Sequence, residues 1–292
     1  MKPRTTFVSL CICLAVAVPS ALAGAPMGPT LPVMEKGQWA FGIEYAYEKI
    51  DAEADGSCTE SIVGGLSEKY HQEFMIDGMK TNMLFGRIEY ALCRDWDVFV
   101  RLGASDADAD IKASGPGVVL GGQGGKVGFD GSFGFGAGVG TRATLYRCGP
   151  WRVDGLAQVT WLDPDDSDFR ITNPENPGEI AAGTAKLDYL QTQIGLTAVY
   201  RGDAWSVWAG PFLQIIDGDL DMNARFLFDG VTQGRIRCSG DVEEDSQFGL
   251  SLGANCEVNK NFLAWIEGQF TGDSWLVGIG GMIRPDQLFG EW

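Results

Sequence analysis

The stretch Gly37-Gln38-Trp39-Ala40-Phe41-Gly42-Ile43-Glu44-Tyr45-Ala46-Tyr47-Glu48-Lys49 decides the fold, because apolar and polar side chains alternate along it. The aromatic and aliphatic side chains fall on one face of a strand, and the small or acidic ones fall on the other. In a soluble sandwich the apolar face would cover a core. In an outer-membrane barrel it would face lipid, and the polar face would line the lumen.

The same alternation recurs along the chain and predicts ten strands. Their apolar phase contains no Asp, Glu, Lys or Arg. A lipid-facing Lys or Arg would cost roughly 2–4 kcal/mol at the bilayer midplane, so this phase favours the barrel over the sandwich. The strands are predicted near residues 37–49, 81–93, 95–104, 132–147, 151–162, 187–200, 204–216, 246–257, 261–271 and 274–284.

The connections between these strands alternate in length. Tight turns are predicted at residues 93–95, 148–150, 201–203 and 258–260. Long connections are predicted at residues 50–80, 105–131, 163–186 and 217–245, while residues 271–273 are short and break the pattern. Tight periplasmic turns opposite long extracellular loops are typical of bacterial outer-membrane barrels. The fold class is therefore all-β: a transmembrane, antiparallel up-and-down barrel.

Aromatic side chains recur at one level of the predicted barrel. Each strand that leaves a tight turn, and the first strand, begins with one of them. Such a belt is typical of the boundary between lipid and water, where an amphipathic ring is favoured. The belt consists of Trp39, Trp96, Trp151, Trp205 and Phe262.

The start of the chain predicts export. Lys2 and Arg4 precede a short apolar run at residues 7–18, and Ala21-Leu22-Ala23 offers a small-residue cleavage site. This pattern is typical of a secretory signal peptide. We therefore expect residues 1–23 to be removed and residues 24–292 to form one barrel domain in a bacterial outer membrane.

The quoted strand, the turn and strand from Cys93 to Gly103, and the Gly-rich strand from Phe133 to Gly140 resemble bacterial outer-membrane β-barrel proteins. The broad OmpA-like and opacity-type group is the nearest, and the resemblance is one of pattern. It implies insertion into outer-membrane lipid by the barrel assembly machinery. One feature departs from the group: Pro285 precedes the terminal Trp292, so residues 286–292 are expected to be a short tail.

The inward phase predicts a filled lumen. Ten strands lie near the narrow end of the barrel size range, where side chains fill the interior. The inward phase also carries bulky Phe85, Phe99, Tyr146, Trp208, Phe212 and Trp265. Its arginines and carboxylates are predicted to form an ion-pair network. The network consists of Glu44, Arg87, Glu89, Asp97, Arg101, Arg142, Arg152, Asp154 and Glu267.

Five cysteines follow the predicted cleavage site, and export permits disulfides. Cys58 and Cys238 lie in long connections on one side of the barrel, whereas Cys93 and Cys148 lie beside tight turns on the other. The predicted pairing is Cys58 with Cys238 and Cys93 with Cys148, which leaves Cys256 free.

Residues able to carry catalysis are scarce. His71 is the only histidine, and no Gly-x-Ser-x-Gly motif occurs. Outer-membrane proteases of the omptin type need a histidine beside their acidic residues, and Asp217-Gly218-Asp219 has none. The acidic runs at residues 106–110 and 217–221 are interpreted as solvated loop rims, with divalent-cation binding as the alternative.

Charge and composition narrow the function. A formal net charge of −17 disfavours nucleic-acid binding. No cofactor is expected. The leading hypothesis is a non-enzymatic surface protein with a structural or adhesive role. The alternative is a small porin or channel, and the remote alternative is an omptin-like protease.

Overall fold

The structure is a computed structural model that describes residues 25–29, 34–65, 67–114, 126–172, 179–244 and 247–285. The described elements are antiparallel strands joined into one sheet. The strands are β1 (Trp39–Ile62), β2 (Ser67–Cys93), β3 (Trp96–Ser114), β4 (Lys126–Cys148), β5 (Trp151–Asp163), β6 (Ser167–Thr172), β7 (Glu179–Arg201), β8 (Trp205–Phe228), β9 (Val231–Glu243), β10 (Phe248–Asn259), β11 (Phe262–Phe270) and β12 (Ser274–Ile283).

Ten of these strands close into a ring. β12 returns to β1 and pairs with it from Phe41 opposite Ile283 to Ile50 opposite Ser274. The order around the ring is β1, β2, β3, β4, β5, β7, β8, β10, β11 and β12. The prediction of an antiparallel up-and-down barrel is therefore confirmed.

Above this ring, longer strands continue into a second, narrower layer. The second half of β1 leaves β12 and pairs with β9, from Glu53 opposite Glu243 to Ile62 opposite Gly234. β9 also pairs with the far half of β8, so it takes the place that β10, β11 and β12 occupy below. We call the described residues of 51–80, 105–131, 163–188 and 217–244 the extension.

The extension differs from the prediction that these segments are loops. Most of their residues continue strands, because side chains still alternate at period two. Here acidic residues alternate with small residues. Asp51, Glu53 and Asp55 are exposed, whereas Ala52 and Ala54 are buried. Frequent acidic residues indicated a loop, but here they form the solvated face of a strand.

The two sides of the lower ring are chemically distinct. Large apolar side chains are exposed on its outer face, among them Ile43 at 61% and Leu102 at 60% of their surface. Charged side chains lie on the inner face, where Glu44, Arg87 and Arg142 are buried. This is the arrangement that lipid on the outside requires.

Two aromatic belts bound this apolar band. At the lower belt Trp39 lies 4.7 Å from Tyr90, and Trp151 lies 5.1 Å from Tyr200, between ring centroids. The rest of the predicted belt occupies the same level, at the starts of β3, β8 and β11. The upper belt includes Tyr47, whose ring centroid lies 5.0 Å from that of Trp275. Trp39 and Tyr47 are separated by roughly 26 Å along β1, which at a strand tilt of about 40° corresponds to roughly 20 Å of height, within reach of the apolar band of about 25 Å in bacterial barrels.

No helix among the described residues is long and apolar enough to cross a membrane. The predicted signal peptide at residues 1–23 and the predicted tail at residues 286–292 lie outside the described residues.

Candidate functional site in the barrel lumen

Arginines and carboxylates alternate in a chain of ion pairs across the lumen. Arg142 contacts both oxygens of Asp97, at 3.0 and 3.2 Å, and it reaches Glu89 at 2.6 Å. Arg87 links Glu89 to Glu44, at 2.6 and 3.1 Å. Glu44 then pairs with Arg101 at 3.3 Å. All six side chains are buried, and three positive charges face three negative ones.

The ring of Phe99 lies among the three arginines. The guanidinium carbon of Arg87 is 3.6 Å from the ring centroid, and those of Arg101 and Arg142 are 5.2 and 5.7 Å away. A buried cation over an aromatic face is stabilised by the ring quadrupole. Phe99 therefore fixes the orientation of the network as well as filling space.

The adjacent strand β4 accommodates these side chains through glycine. A Cβ atom at Gly138 would lie 2.9 Å from Cγ of Arg101, and one at Gly136 would lie 2.8 Å from the Phe85 ring. At Gly140 a Cβ would meet both the Phe99 ring and the Gln158 side chain. The inward face of β4 is thus open enough for the large side chains of β2 and β3 to lie across it.

A second polar layer consists of glutamines. The Gln193 amide donates to Gln214 at 2.8 Å and to Gln269 at 2.9 Å. Gln191 donates to both oxygens of Glu48, at 3.0 and 3.2 Å, and Gln214 donates to Glu244 at 2.8 Å. These amides link β7 to β1, β8 and β11, so this level is filled by hydrogen-bonded glutamines and the two carboxyl groups that they contact.

Residues 25–29 lie in the lumen and form hydrogen bonds with both polar layers. Three arginines donate to its carbonyls: Arg101 to Pro26 at 2.7 Å, Arg87 to Met27 at 3.3 Å, and Arg142 to Pro29. Gln269 donates to the Ala25 carbonyl at 3.0 Å. In return, the Ala25 amide donates to Gln191 at 2.7 Å and the Gly28 amide to Glu267 at 2.9 Å. We call residues 25–29 the lumen peptide.

The extension is filled differently, by an apolar core. Its inward side chains include Phe74, Ile76, Phe129, Leu187 and Leu220, each at most 1% exposed. They belong to one continuous buried cluster. The described interior is therefore filled at two levels, by polar groups at the level of the apolar band and by an apolar core above it.

The structure brings seven of the nine predicted network residues to this region. Six form the ion-pair chain. Glu267 instead contacts the lumen peptide and accepts from Gln269 at 3.3 Å. Asp154 is buried near the start of β5, and Arg152 is only partly buried beside Arg147. Both lie near the tight turn at residues 148–150, and neither belongs to the six-residue chain of ion pairs.

Tyr146 does not point inward as the sequence predicts. It is 63% exposed, because a β-bulge between Thr144 and Tyr146 inserts one residue into β4. One extra residue moves every later side chain to the opposite face. The other bulky inward residues, Phe85, Phe99, Trp208, Phe212 and Trp265, are buried.

One of the two predicted disulfides is present and the other is not. Cys58 and Cys238 face each other across β1 and β9 and form the predicted disulfide, with side chains buried in the extension core. The predicted bridge between Cys93 and Cys148 is wrong, since both are free and exposed. Cys256 is partly exposed and forms no disulfide. The bulge in β4 also moves Cys148 to the outer phase, whereas uninterrupted alternation from Arg142 would place it inward.

The acidic runs form rows across the outer face of the extension. Asp188, Asp219, Asp241, Asp55 and Glu73 are consecutive cross-strand neighbours on β7, β8, β9, β1 and β2. Burial together with the neighbouring Asp188 and Asp241 raises the pKa of Asp219. Among the described residues no cluster of His, Cys, Asp or Glu could hold a metal ion.

The single histidine lies on this outer face and not in a cleft. His71 contacts Asp55 at 3.3 Å and Glu73 at 3.9 Å, and all three side chains are largely exposed. Exposed side chains on the outer face of the sheet offer no enclosed place for a substrate, so this contact is interpreted as a polar surface contact.

Comparisons with solved structures find bacterial outer-membrane β-barrels. The outer-membrane protein OprG of Pseudomonas aeruginosa is 13% identical, with a TM-score of 0.47, over 87% of this chain and 98% of that one. The outer-membrane protease OmpT of Escherichia coli is 9% identical, with a TM-score of 0.40, over 82% and 96%. Ail, the attachment invasion locus protein of Yersinia pestis, is 12% identical, with a TM-score of 0.24, over 85% and 98%. No family model and no curated protein sequence matches the chain.

Proposed function

We propose that this chain is a non-enzymatic β-barrel of a bacterial outer membrane, with a closed lumen and a structural or surface-interaction role. The observation that carries the proposal is the double closure of the interior. The ion-pair network and the lumen peptide fill the level of the apolar band, and the apolar core fills the extension. A barrel filled in this way is suited to display a rigid surface and not to pass solutes.

The outer-membrane location rests on the outer surface of the ring. The exposed side chains between the two belts are apolar, as at Ile43, Leu102 and Val139. In water such a continuous band would cause association, whereas in a bilayer it is satisfied by lipid tails. Outer-membrane lipid is therefore the proposed immediate partner.

Fractionation tests the location. We expect the protein to sediment with outer membranes, to resist carbonate extraction and to migrate faster on gels when unboiled, because folded barrels survive in detergent. Recovery in the soluble periplasmic fraction at normal expression would contradict the proposal.

The surface role rests on the extension. Its strands run for roughly 35 Å along β1 and β8, and the two-residue hairpin Asp229-Gly230 joins β8 to β9. Paired strands packed on an apolar core hold an outer face more rigidly than a set of long loops would. The extension is therefore the part of the chain proposed to meet other surfaces.

A small channel is the second candidate, favoured by one observation. The wall at the level of the apolar band is polar, and part of what fills it is a peptide that belongs to no strand. Liposome swelling with monosaccharides separates the two candidates. A closed barrel leaves the swelling rate at that of empty liposomes, whereas a channel raises it in proportion to the protein added.

A further inference from the structure

We propose that the lumen is a binding site for an extended, uncharged, proline-containing peptide, and that the lumen peptide is its tethered ligand. The contacts that hold residues 25–29 are made by side chains of many strands. They come from β2, β3, β4, β5, β7 and β11, through Arg87, Arg101, Arg142, Gln158, Gln191, Glu267 and Gln269. The site is thus assembled by the whole wall and not by one neighbouring segment.

The donor and acceptor chemistry of the two partners is complementary. Prolines have no N–H, so a segment with two prolines in five residues presents more acceptors than donors. The wall offers the reverse, since arginine guanidinium groups only donate. Its two acceptors, Gln191 and Glu267, lie at the amides of Ala25 and Gly28.

Shape adds selectivity to this backbone recognition. Gly28 has φ +76°, and a Cβ atom there would lie 2.5 Å from Nη1 of Arg87. A side chain at this position would displace the guanidinium that binds the Met27 carbonyl. The Met27 side chain packs against Leu156 and Phe212 in a small apolar cluster of the lumen. The site therefore prefers glycine at one position and an apolar side chain at the position before it.

The backbone pairing that closes the barrel does not include the lumen peptide. β12 closes on β1 through their own backbone ladder, and residues 25–29 belong to no strand. An exposed turn at Glu35–Gly37 joins the described part of this segment to β1. The proposal concerns the lumen alone and holds whether or not the barrel conducts, so its test is independent of the liposome assay.

The test cuts the tether after the full chain has folded. A protease recognition sequence inserted between Lys36 and Gly37 allows the folded barrel to be cleaved in detergent. A synthetic peptide of residues 24–36, labelled on Lys36, is then added, and its co-elution with the barrel on gel filtration is measured. The label lies at the exposed end and away from the buried Ala25.

We expect the cleaved barrel either to retain its own peptide through gel filtration or to exchange it for the labelled one. The uncut barrel, whose site is filled, should bind at least tenfold less labelled peptide than a cleaved barrel whose own peptide has left. A peptide carrying Gly28→Val should bind at least tenfold more weakly, because its side chain would meet Arg87.

Three outcomes would overturn the proposal. Either the cleaved peptide leaves and the labelled peptide does not bind, or a cleaved barrel that has lost its own peptide binds the labelled peptide no better than the uncut barrel does. Alternatively, the cleaved barrel loses its fast-migrating unboiled form when its peptide leaves, which would make residues 25–29 part of the fold and not a ligand.

Discussion

At the scale of single residues, the lumen depends on close contacts between large side chains and glycine. Phe99 lies beneath three guanidinium groups, and it reaches that position only because β4 carries glycine opposite it. A change at either partner therefore disturbs the network without touching a charge.

Gly140→Val tests this packing. The new side chain would meet the Phe99 ring and lie close to Gln158, whose Cβ is 2.8 Å from a Cβ built at residue 140. We expect the free energy of unfolding to fall by about 1–3 kcal/mol, as overpacked cores do. Urea titration of the detergent-folded protein measures it. Gly128→Ala is the matched control on the same strand, where a Cβ meets nothing within 4 Å. An equal loss in both variants would contradict the packing argument.

Arg142→Ala tests the ion-pair chain. Its removal leaves Asp97 buried without its bidentate partner and takes one cation from Glu89. Breaking a buried pair from one side costs about 3–5 kcal/mol in free energy of unfolding. Adding Asp97→Asn should restore part of the loss, because the stranded charge is removed. Arg147→Ala, at an exposed turn beside Asp95, should cost less than about 1 kcal/mol. No recovery in the double variant would show that charge pairing is not the cause.

How far residues could be predicted depends on the regularity of their strand. Arg87, Arg101 and Arg142 follow the period-two rule without interruption and lie in the lumen as expected. Tyr146 and Cys148 come after the bulge in β4, and the rule places them on the wrong face. A bulge places one additional residue in a strand through local backbone geometry. The residue types around it did not indicate its position.

At the scale of elements, the extension shows that acidic strands can be mistaken for loops. Asp51, Glu53 and Asp55 alternate with small residues, which is a strand pattern whose outer face meets water instead of lipid. Asp229-Gly230 was a usable signal, because this pair favours a two-residue hairpin with positive φ at both positions. A disulfide expected to join two loops therefore joins two paired strands.

The acidic rows predict a pH dependence of the extension. The pKa of Asp219 is raised in the folded state by burial and by neighbouring carboxylates. A carboxyl group with a raised folded pKa opposes folding above that pKa, and the opposition disappears as pH falls through it. Amide exchange protection at Leu220 and Met222, corrected for intrinsic rates, should therefore rise as pH is lowered from 7 toward the carboxyl range.

Asp219→Asn supplies the control for this pH effect. The variant should show higher protection than the wild type at pH 7 and a flatter pH dependence. Since these charges are exposed, salt should reduce the difference between the two proteins. Equal protection at pH 7, or a wild-type extension that loosens on mild acidification, would contradict the repulsion argument.

The disulfide between Cys58 and Cys238 links β1 to β9 in the extension. The bonded residues are 180 positions apart in sequence, so reduction frees a long segment of chain. In the chain-entropy model its loss costs about 2–5 kcal/mol. Replacing both cysteines by serine should raise amide exchange in β9 while the fast-migrating unboiled form persists. Cys93→Ser, at a free and exposed cysteine, is the control. Mass mapping that finds Cys58 and Cys238 as free thiols would contradict the bridge.

At the scale of the whole molecule, the barrel and its outer surface could be predicted, whereas its filling could be predicted only in part. Period-two alternation assigns each side chain of a strand to the inner or the outer face of the barrel. It therefore predicts both the ion-pair arginines and the lipid-facing band. The lumen peptide carries no periodicity. Its position depends on contacts with residues up to 244 positions away, which local sequence patterns do not encode.

Single-channel recording in planar bilayers tests the central claim of a closed barrel most directly. Purified, detergent-folded protein is inserted, and its current is compared with that of an Arg101→Ala variant, which loses contacts to both Glu44 and the Pro26 carbonyl. The closed barrel predicts no steady conductance for the wild type and a leak or loss of folded protein for the variant. A steady, large conductance of the wild type that Arg101→Ala leaves unchanged would contradict the account and favour a channel.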